Sequence, residues 1–419
     1  METGGVTWRT TEYDTYEQAA NAAAQEAAAT MSTLLPAIMY QQGGRPFLAT
    51  SFSLPYLCDR VRLDTLKKGE DPDEHINRPL IPEHVRGIVN YLSGEADYIL
   101  PAITLTVREQ LHMHLPRVTS AIRLGIVVLP VSVEFQVSDG QHRIAALRES
   151  RRARPSFGND GIAVTILHEN NIDRIHQDFV DCAQVKPIPA SLLTAFNQRD
   201  PLAKLSREIA EQVHVFKGRI EKVAKTVGKN SINIFTMNQI RIGLAELLTG
   251  DSFQASAQLQ KAVSERIAAE RDFKFHSASI LRFFRLFTAS NPQWLEVADT
   301  GAEPARDRVD IREYRQDYVH FSATGLTIMG RVGFSILKLG EEEQEPFITK
   351  LAELDWSRKS PLWTGTILDK DGRMGTSRIP VERAIARVKK TIGLPLTHRD
   401  EARLNEPETA HVAQQPEAA

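Results

Sequence analysis

Between Val131 and Val137 the apolar residues Val131, Val133, Phe135 and Val137 alternate with Ser132, Glu134 and Gln136. That two-residue period predicts a strand with one buried face. At Asp139-Gly140 the pattern switches, and Ile144, Ala145, Leu147 and Arg148 follow with helical spacing behind Asp139, a residue suited to cap a helix N-terminus. The pattern therefore predicts a strand, a tight turn and a helix in direct succession. Upstream, Ile103, Leu105 and Val107 alternate with Thr104 and Thr106 and predict a strand within 99–107, and Ile162 to Leu167 predicts another. Val85, Ile88, Val89 and Leu92 have helical spacing behind the Pro82-Glu83 start. Residues 15–34 are alanine-rich, which favours a helix with little bulk for a core, so 1–34 is expected to form a peripheral helix or arm.

Sheet and helix thus mix over 35–185, and the texture changes at Lys186. The Pro187-Ile188-Pro189 break is followed by segments with helical period and no alternation, which predicts a mainly α-helical domain over 186–400. On a helical wheel Leu202, Leu205, Ile209, Val213, Phe216, Ile220, Val223 and Val227 share one face, with Lys222, Lys225 and Lys229 roughly opposite. One long amphipathic helix with a basic edge is the expectation there. Residues 291–312, rich in Asp, Glu, Pro and Gly, are expected to connect, and 318–339 and 347–356 to be helical again. The tail over 401–419 is too poor in apolar residues to order itself. No solenoid-type repeat is present. The fold class is α+β.

With 419 residues and 42% hydrophobic content the chain can fill two or three cores. Its two cysteines, Cys58 and Cys182, are far apart and form no CxxC, which supports neither a disulfide framework nor a zinc knuckle and fits a reducing compartment. The N-terminus lacks the basic and apolar regions of a signal peptide, and the apolar stretch 124–137 is interrupted by Pro130, so a cytoplasmic location is expected. A formal charge of -2 excludes a wholly basic surface, so any contact with nucleic acid must come from a local patch. Lys217, Arg219, Lys222, Lys225, Lys229 and Arg241 form one such candidate for DNA phosphate contacts, and Arg383, Arg387, Lys389 and Lys390 a second. The alternative for either cluster is an ordinary solvated face.

A strand that ends in Asp-Gly and turns straight into a helix gathers free backbone N–H groups and the positive end of the helix dipole at one spot, where anions bind. Gly140 lets a ligand approach the backbone, Gln141 and His142 add donors, and Arg143 offers a guanidinium suited to paired phosphate oxygens. Asp139 would cap, orient Arg143 or His142, or hold a metal ion. Arg78 and Arg86 could reach the same phosphate. The bland alternative is a plain N-cap beside a surface arginine. A Walker-type loop fails at Gly228-Lys229, because Val223 stands where its first glycine is required and Asn230 follows the lysine. His112 and His114 could place two imidazoles together, yet no neighbouring carboxylate or cysteine cluster in the sequence accompanies them, so no metal site is expected. No GxSxG elbow is present, and Cys182 reads as a small buried apolar residue.

Asp139-Gly140-Gln141-His142-Arg143 followed by Ile144-Ala145-Ala146-Leu147 resembles the DGQHR signature of the DndB family, regulators associated with DNA phosphorothioate modification. Arg78-Pro79-Leu80, Val85 to Leu92, Tyr98 to Pro101, Phe179-Val180-Asp181 through Lys186 to Ser191-Leu192, Asp355-Trp356-Ser357-Arg358 with Trp363, and Ile392 to Leu396 extend the likeness over about 45–396. The resemblance implies a ParB/sulfiredoxin-like N-terminal domain. It also implies repression of the modification operon through double-stranded promoter DNA, and association with other phosphorothioate modification proteins. The signature is similar to the DGQQR box of nucleotide-hydrolysing restriction proteins and to the phosphate box of ParB, which implies a nucleotide, ATP with magnesium, at the turn. Gln141, His142 and Arg143 would be catalytic if the protein were instead an NTPase or a ParB-like DNA-nicking enzyme, although His142 replaces the second Gln of the related box. Symmetric promoter sites would favour a homo-oligomer.

Overall fold

The computed structural model describes residues 8–66, 79–153, 157, 159–183, 188–250, 256–300, 310–369, 372 and 374–406. The chain divides into two compact units, Met1–Lys186 and Pro187–Ala419.

In the first unit β1 (Arg9–Tyr13), α1 (Tyr16–Thr30), β2 (Thr33–Gln42), β3 (Arg45–Ser53), α2 (Leu54–Arg60), α3 (Pro82–Gly94), β4 (Ile103–Val107), β5 (His112–Pro116), β6 (Arg123–Leu129), β7 (Gln136–Asp139), α4 (Gln141–Ala153), β8 (Gly161–His168) and α5 (Ile172–Ala183) follow one another. The strands form one mixed sheet in the order β1-β5-β6-β2-β3-β8-β4-β7. Strand alternation divides its side chains between two cores. Met113, Leu115, Val127 and Leu129 join the larger one with Leu54 and Leu57 of α2, Leu92 of α3 and Ile144 and Leu147 of α4, whereas Ile126 and Val128 pack on Ala23 and Ala27 of α1. The alanine-rich segment forms the expected helix, docked on the sheet rather than extended as a free arm. Ala19, Ala23 and Ala27 present no bulk, so α1 packs directly on the sheet, and β1 pairs in parallel with β5.

The strand expected over 131–137 is shorter and later. Pro130 cannot donate to a ladder, the chain turns so that the Val133 N–H reaches the Pro130 carbonyl, and Val131 is exposed. The apolar run before the proline forms β6 instead, while Val133, Phe135 and Val137 are buried as their alternation requires. Likewise β4 starts only at Ile103, two residues beyond Pro101.

The second unit is helical: α6 (Ala190–Phe196), α7 (Pro201–Gln212), α8 (Met237–Thr249), α9 (Ser256–Ile267), α10 (Glu270–Ser290), α11 (Pro292–Asp299), α12 (Ile311–Asp317), α13 (Ala323–Leu337), α14 (Glu341–Ala352), α15 (Arg378–Ile392) and α16 (His398–Asn405), with a two-residue parallel pair between β9 (Ile220–Glu221) and β10 (Phe235–Thr236). The long helix expected over 202–227 ends at Gln212. Val213, Phe216 and Ile220 are buried as the wheel places them, but successive turns rather than a helix deliver them to the core, and Val223 is exposed. Residues 291–312 are not merely a connection either. Asn291 caps α11, whose Trp294 lies fully buried among Phe216, Phe284 and Phe287. α8 and α13 cross closely because both carry glycines at the contact; a Cβ on Gly330 would lie 2.6 Å from the Gly243 carbonyl oxygen. Beside that crossing Arg331 donates twice to the wholly buried Glu246, at 3.0 and 3.1 Å. The expected tail falls mostly outside the described residues; within them, α16 runs to Asn405. Mixed sheet followed by helices makes the chain α+β, and no described helix is long and apolar enough to cross a membrane.

Candidate functional site

β7 is the last strand of the sheet order, pairing antiparallel with β4 through Thr104↔Asp139 and Leu105↔Val137, with an irregularity between them. The strand ends at Asp139, Gly140 reverses the chain at φ +106°, and α4 starts at Gln141. Only glycine adopts that backbone angle without strain, and a Cβ there would also lie 3.0 Å from Ile103 Cγ1. The Ile144 N–H bonds back to the Gly140 carbonyl at 3.0 Å, so the three amides before it precede the intrahelical ladder.

Arg143 fixes this turn while also bordering the cavity beside it. Its guanidinium donates to Asp139 Oδ2 at 2.5 Å and to the carbonyls of Pro101 and Ala102 at 2.9 and 2.8 Å. Asp139 accordingly pairs with Arg143. His142 is buried too, and its Nε2 accepts the Ile81 N–H at 3.0 Å, which places any proton of a neutral ring on Nδ1. Its ring lies 4.7 Å from that of His84 on α3. Gln141 differs from both: it is 3% exposed, and neither its amide oxygen nor its amide nitrogen has a hydrogen-bond partner among the described residues. Buried amides without partners are rare and costly, so this one can take a water or a ligand in the adjoining space as its partner.

A cavity of about 560 Å³ opens at that side chain, bounded by the turn, α3, the segment before β4, and α5. Ile88, Tyr91, Leu100 and Phe179 give it apolar and aromatic walls, while Gln141, His84 and His142 supply polar groups. Its size and its few converging polar groups fit a small organic ligand with a flat ring. Cys182 also lines it, half-buried rather than fully buried. Burial, then the negative charges of Asp139, Asp178 and Asp181, raise its thiol above the ordinary cysteine range and keep it protonated. The aromatic walls on α3 and α5 were not legible as a site, because only the tertiary packing brings them to the turn. Arg86 is exposed and does not line the cavity, and Arg78 lies outside the described residues.

The candidate DNA patch is only partly assembled. Lys217, Lys225 and Lys229 are exposed on an irregular segment, and Lys222 pairs at 3.2 Å with the exposed Glu211. Arg219 is fully buried, donating to Thr300 Oγ1 at 2.6 Å and to nearby carbonyls, so it cannot reach a phosphate without unfolding its surroundings. Arg241 pairs with Asp200, the cap of α7, at 3.4 Å. In the second cluster Lys389 is buried against Asp400 at 3.0 Å, Arg383 is buried, and Arg387 donates to the carbonyls of Pro361, Leu362 and Thr364; only Lys390 is exposed. Arg219, Arg241, Arg383, Arg387 and Lys389 thus serve the packing of the helical unit.

A mixed sheet whose last strand runs through a tight turn into a helix beside a cavity, followed in the chain by a helical unit, defines an α+β protein. Residues 35–395 match the model of the DndB family, described as DNA-sulfur modification-associated, and the chain belongs to that family. No curated protein and no solved structure gives a match.

Proposed function

We propose that this protein is a DNA-binding transcriptional repressor of its DNA sulfur-modification operon whose affinity for promoter DNA is set by a nucleotide, ATP with magnesium, in the pocket at Asp139–Arg143. The observation that carries the ligand is Gln141, a buried amide with one acceptor and two donors unmet, facing an aromatic-walled cavity. A nucleobase edge presents the complementary groups and its ring suits the walls, while the amides that open α4 suit a phosphate. Membership of a DNA-sulfur modification-associated family supports the DNA connection. Lys217, Lys225 and Lys229 are the exposed cations through which phosphates would be met.

Binding fits the geometry better than turnover. Hydrolysis needs a water-positioning group and a cation on the transferred phosphoryl, and His142 Nε2 and the Arg143 guanidinium are already engaged by Ile81, Asp139 and two carbonyls. A nucleotide shifts DNA affinity only if it binds two conformations unequally. The test is binding of the purified protein to its promoter fragment and to a scrambled duplex at two salt concentrations, with and without ATP and magnesium. Preference for the promoter that changes with ATP is expected. Equal, steeply salt-dependent binding to both duplexes, indifferent to ATP, would overturn the reading.

A further inference from the structure

Away from the pocket, on the sheet face covered by α1, three potential metal ligands converge. His112 and His114 are two apart on β5, so strand alternation turns both toward α1, while Met113 between them enters the opposite core. The alanine face of α1 lets that helix approach closely enough for Glu26 to meet them. His112 Nδ1 lies 2.6 Å and His114 Nε2 2.8 Å from the same oxygen, Glu26 Oε2, and the two rings are 4.1 Å apart. Both histidines are buried, and one ligand atom from each of the three residues lies within 4.8 Å of the others. The carboxylate that the sequence reading found lacking beside the histidine pair is therefore supplied from 86 residues away.

We propose that Glu26, His112 and His114 form a binding site for a divalent transition-metal ion of the zinc type. Two imidazoles and one carboxylate are a borderline-soft donor set that suits such an ion and not magnesium. The far nitrogens are already oriented: His112 Nε2 lies 2.9 Å from Thr11 Oγ1, and His114 Nδ1 lies 2.9 Å from the Tyr13 hydroxyl. With the ion absent, Glu26 accepts from the inner N–H groups and the hydroxyls donate to the outer nitrogens. With the ion bound, the inner nitrogens coordinate, the outer ones carry the protons, and the same hydroxyls accept. Both states are satisfied without moving β1 or β5, the outer-shell arrangement that metal-ligating histidines use. Tetrahedral ligation at about 2.0–2.1 Å needs ligand atoms roughly 3.4 Å apart, so the contacts of 2.6 and 2.8 Å must widen by about 0.6–0.8 Å. Glu26 provides that movement, since its side chain is 25% exposed, and a water molecule can complete the shell from the same side. The ion would join α1 to β5, tying the N-terminal strand and helix to the sheet.

The test uses the full chain, stripped with a chelator and titrated with cobalt(II) and zinc(II). One equivalent of cobalt per chain should give visible absorption bands of low-coordinate cobalt, which zinc displaces and magnesium does not. Zinc at a hundredfold excess over its Kd should raise Tm by about 5 °C or more. The double variant His112→Gln, His114→Gln and, separately, Glu26→Gln should lose the bands or weaken binding at least tenfold. Glu26→Gln sits at a partly exposed position and removes a charge without bulk, so it keeps the test open if the double variant does not fold. A stripped wild-type chain that binds no cobalt, or bands retained in Glu26→Gln with unchanged affinity, would overturn the proposal.

Discussion

Truncation of Glu246 to alanine is expected to lower the unfolding free energy of the helical unit by about 3–5 kcal/mol, among the largest effects of any single substitution in the chain. Glu246 is fully buried on α8 and accepts two hydrogen bonds from Arg331 on α13, which is itself nearly buried. Removing the carboxylate takes two charge-assisted hydrogen bonds from that guanidinium, which the Glu382 carboxylate, 3.8 Å away, replaces only in part. Glu382 is already engaged by Arg378 and Arg403 at 2.8 Å each and by Arg399. Arg331 and Glu382 also line a cavity of about 380 Å³, so water can take over part of the lost pairing and hold the effect to the lower end of that range. Urea unfolding followed by tryptophan fluorescence measures the change, because Trp294, Trp356 and Trp363 all lie in that core. An unchanged midpoint would mean that the pair contributes nothing and that the helices are held by apolar packing alone.

The second large effect belongs to the turn. Gly140→Val should add about 1–3 kcal/mol of backbone strain, because a β-branched residue is forced to positive φ, and about 1–3 kcal/mol of overpacking against Ile103. The added Cβ also lies 3.3 and 3.4 Å from the Arg143 guanidinium, so the strain is relieved by displacing the clamp that joins Asp139 to the carbonyls of Pro101 and Ala102. Ligand binding should therefore be lost along with stability. Thermal unfolding and nucleotide titration of the same sample separate the two consequences, and a variant that binds as tightly as wild type would place the ligand away from this turn.

Much of the turn was readable from residues 131–148, because the change from a two-residue to a helical period is local and Gly140 marks where it happens. What each side chain does there was not readable. Arg143 looks like a phosphate ligand in the string, and its pairing with Asp139 was among the roles the string offered, but its other partners are backbone carbonyls about forty residues earlier that nothing in the pentapeptide announces. The same limit explains Arg219: a cation between lysines reads as surface until Thr300, 81 residues on, is placed beside it. The lysine segment misled for another reason. Val213, Phe216 and Ile220 keep a helical spacing because they fill one core, and a run of turns can present the same spacing as a helix. Glu26 was hidden because an alanine-rich helix carries no strong hydrophobic stripe to say that it packs against a sheet at all.

The most direct measurement is a calorimetric titration of ATP with magnesium into the wild-type protein and into Gln141→Leu. Leucine fills the same space without unmet polar atoms, so the variant should be at least as stable as wild type in the absence of ligand, while its affinity for ATP falls about ten- to a hundredfold. A saturable wild-type isotherm with that loss in the variant is the expected result. Equal affinities, or no heat and no thermal shift with either protein, would contradict the assignment of the Asp139–Arg143 turn as a nucleotide site.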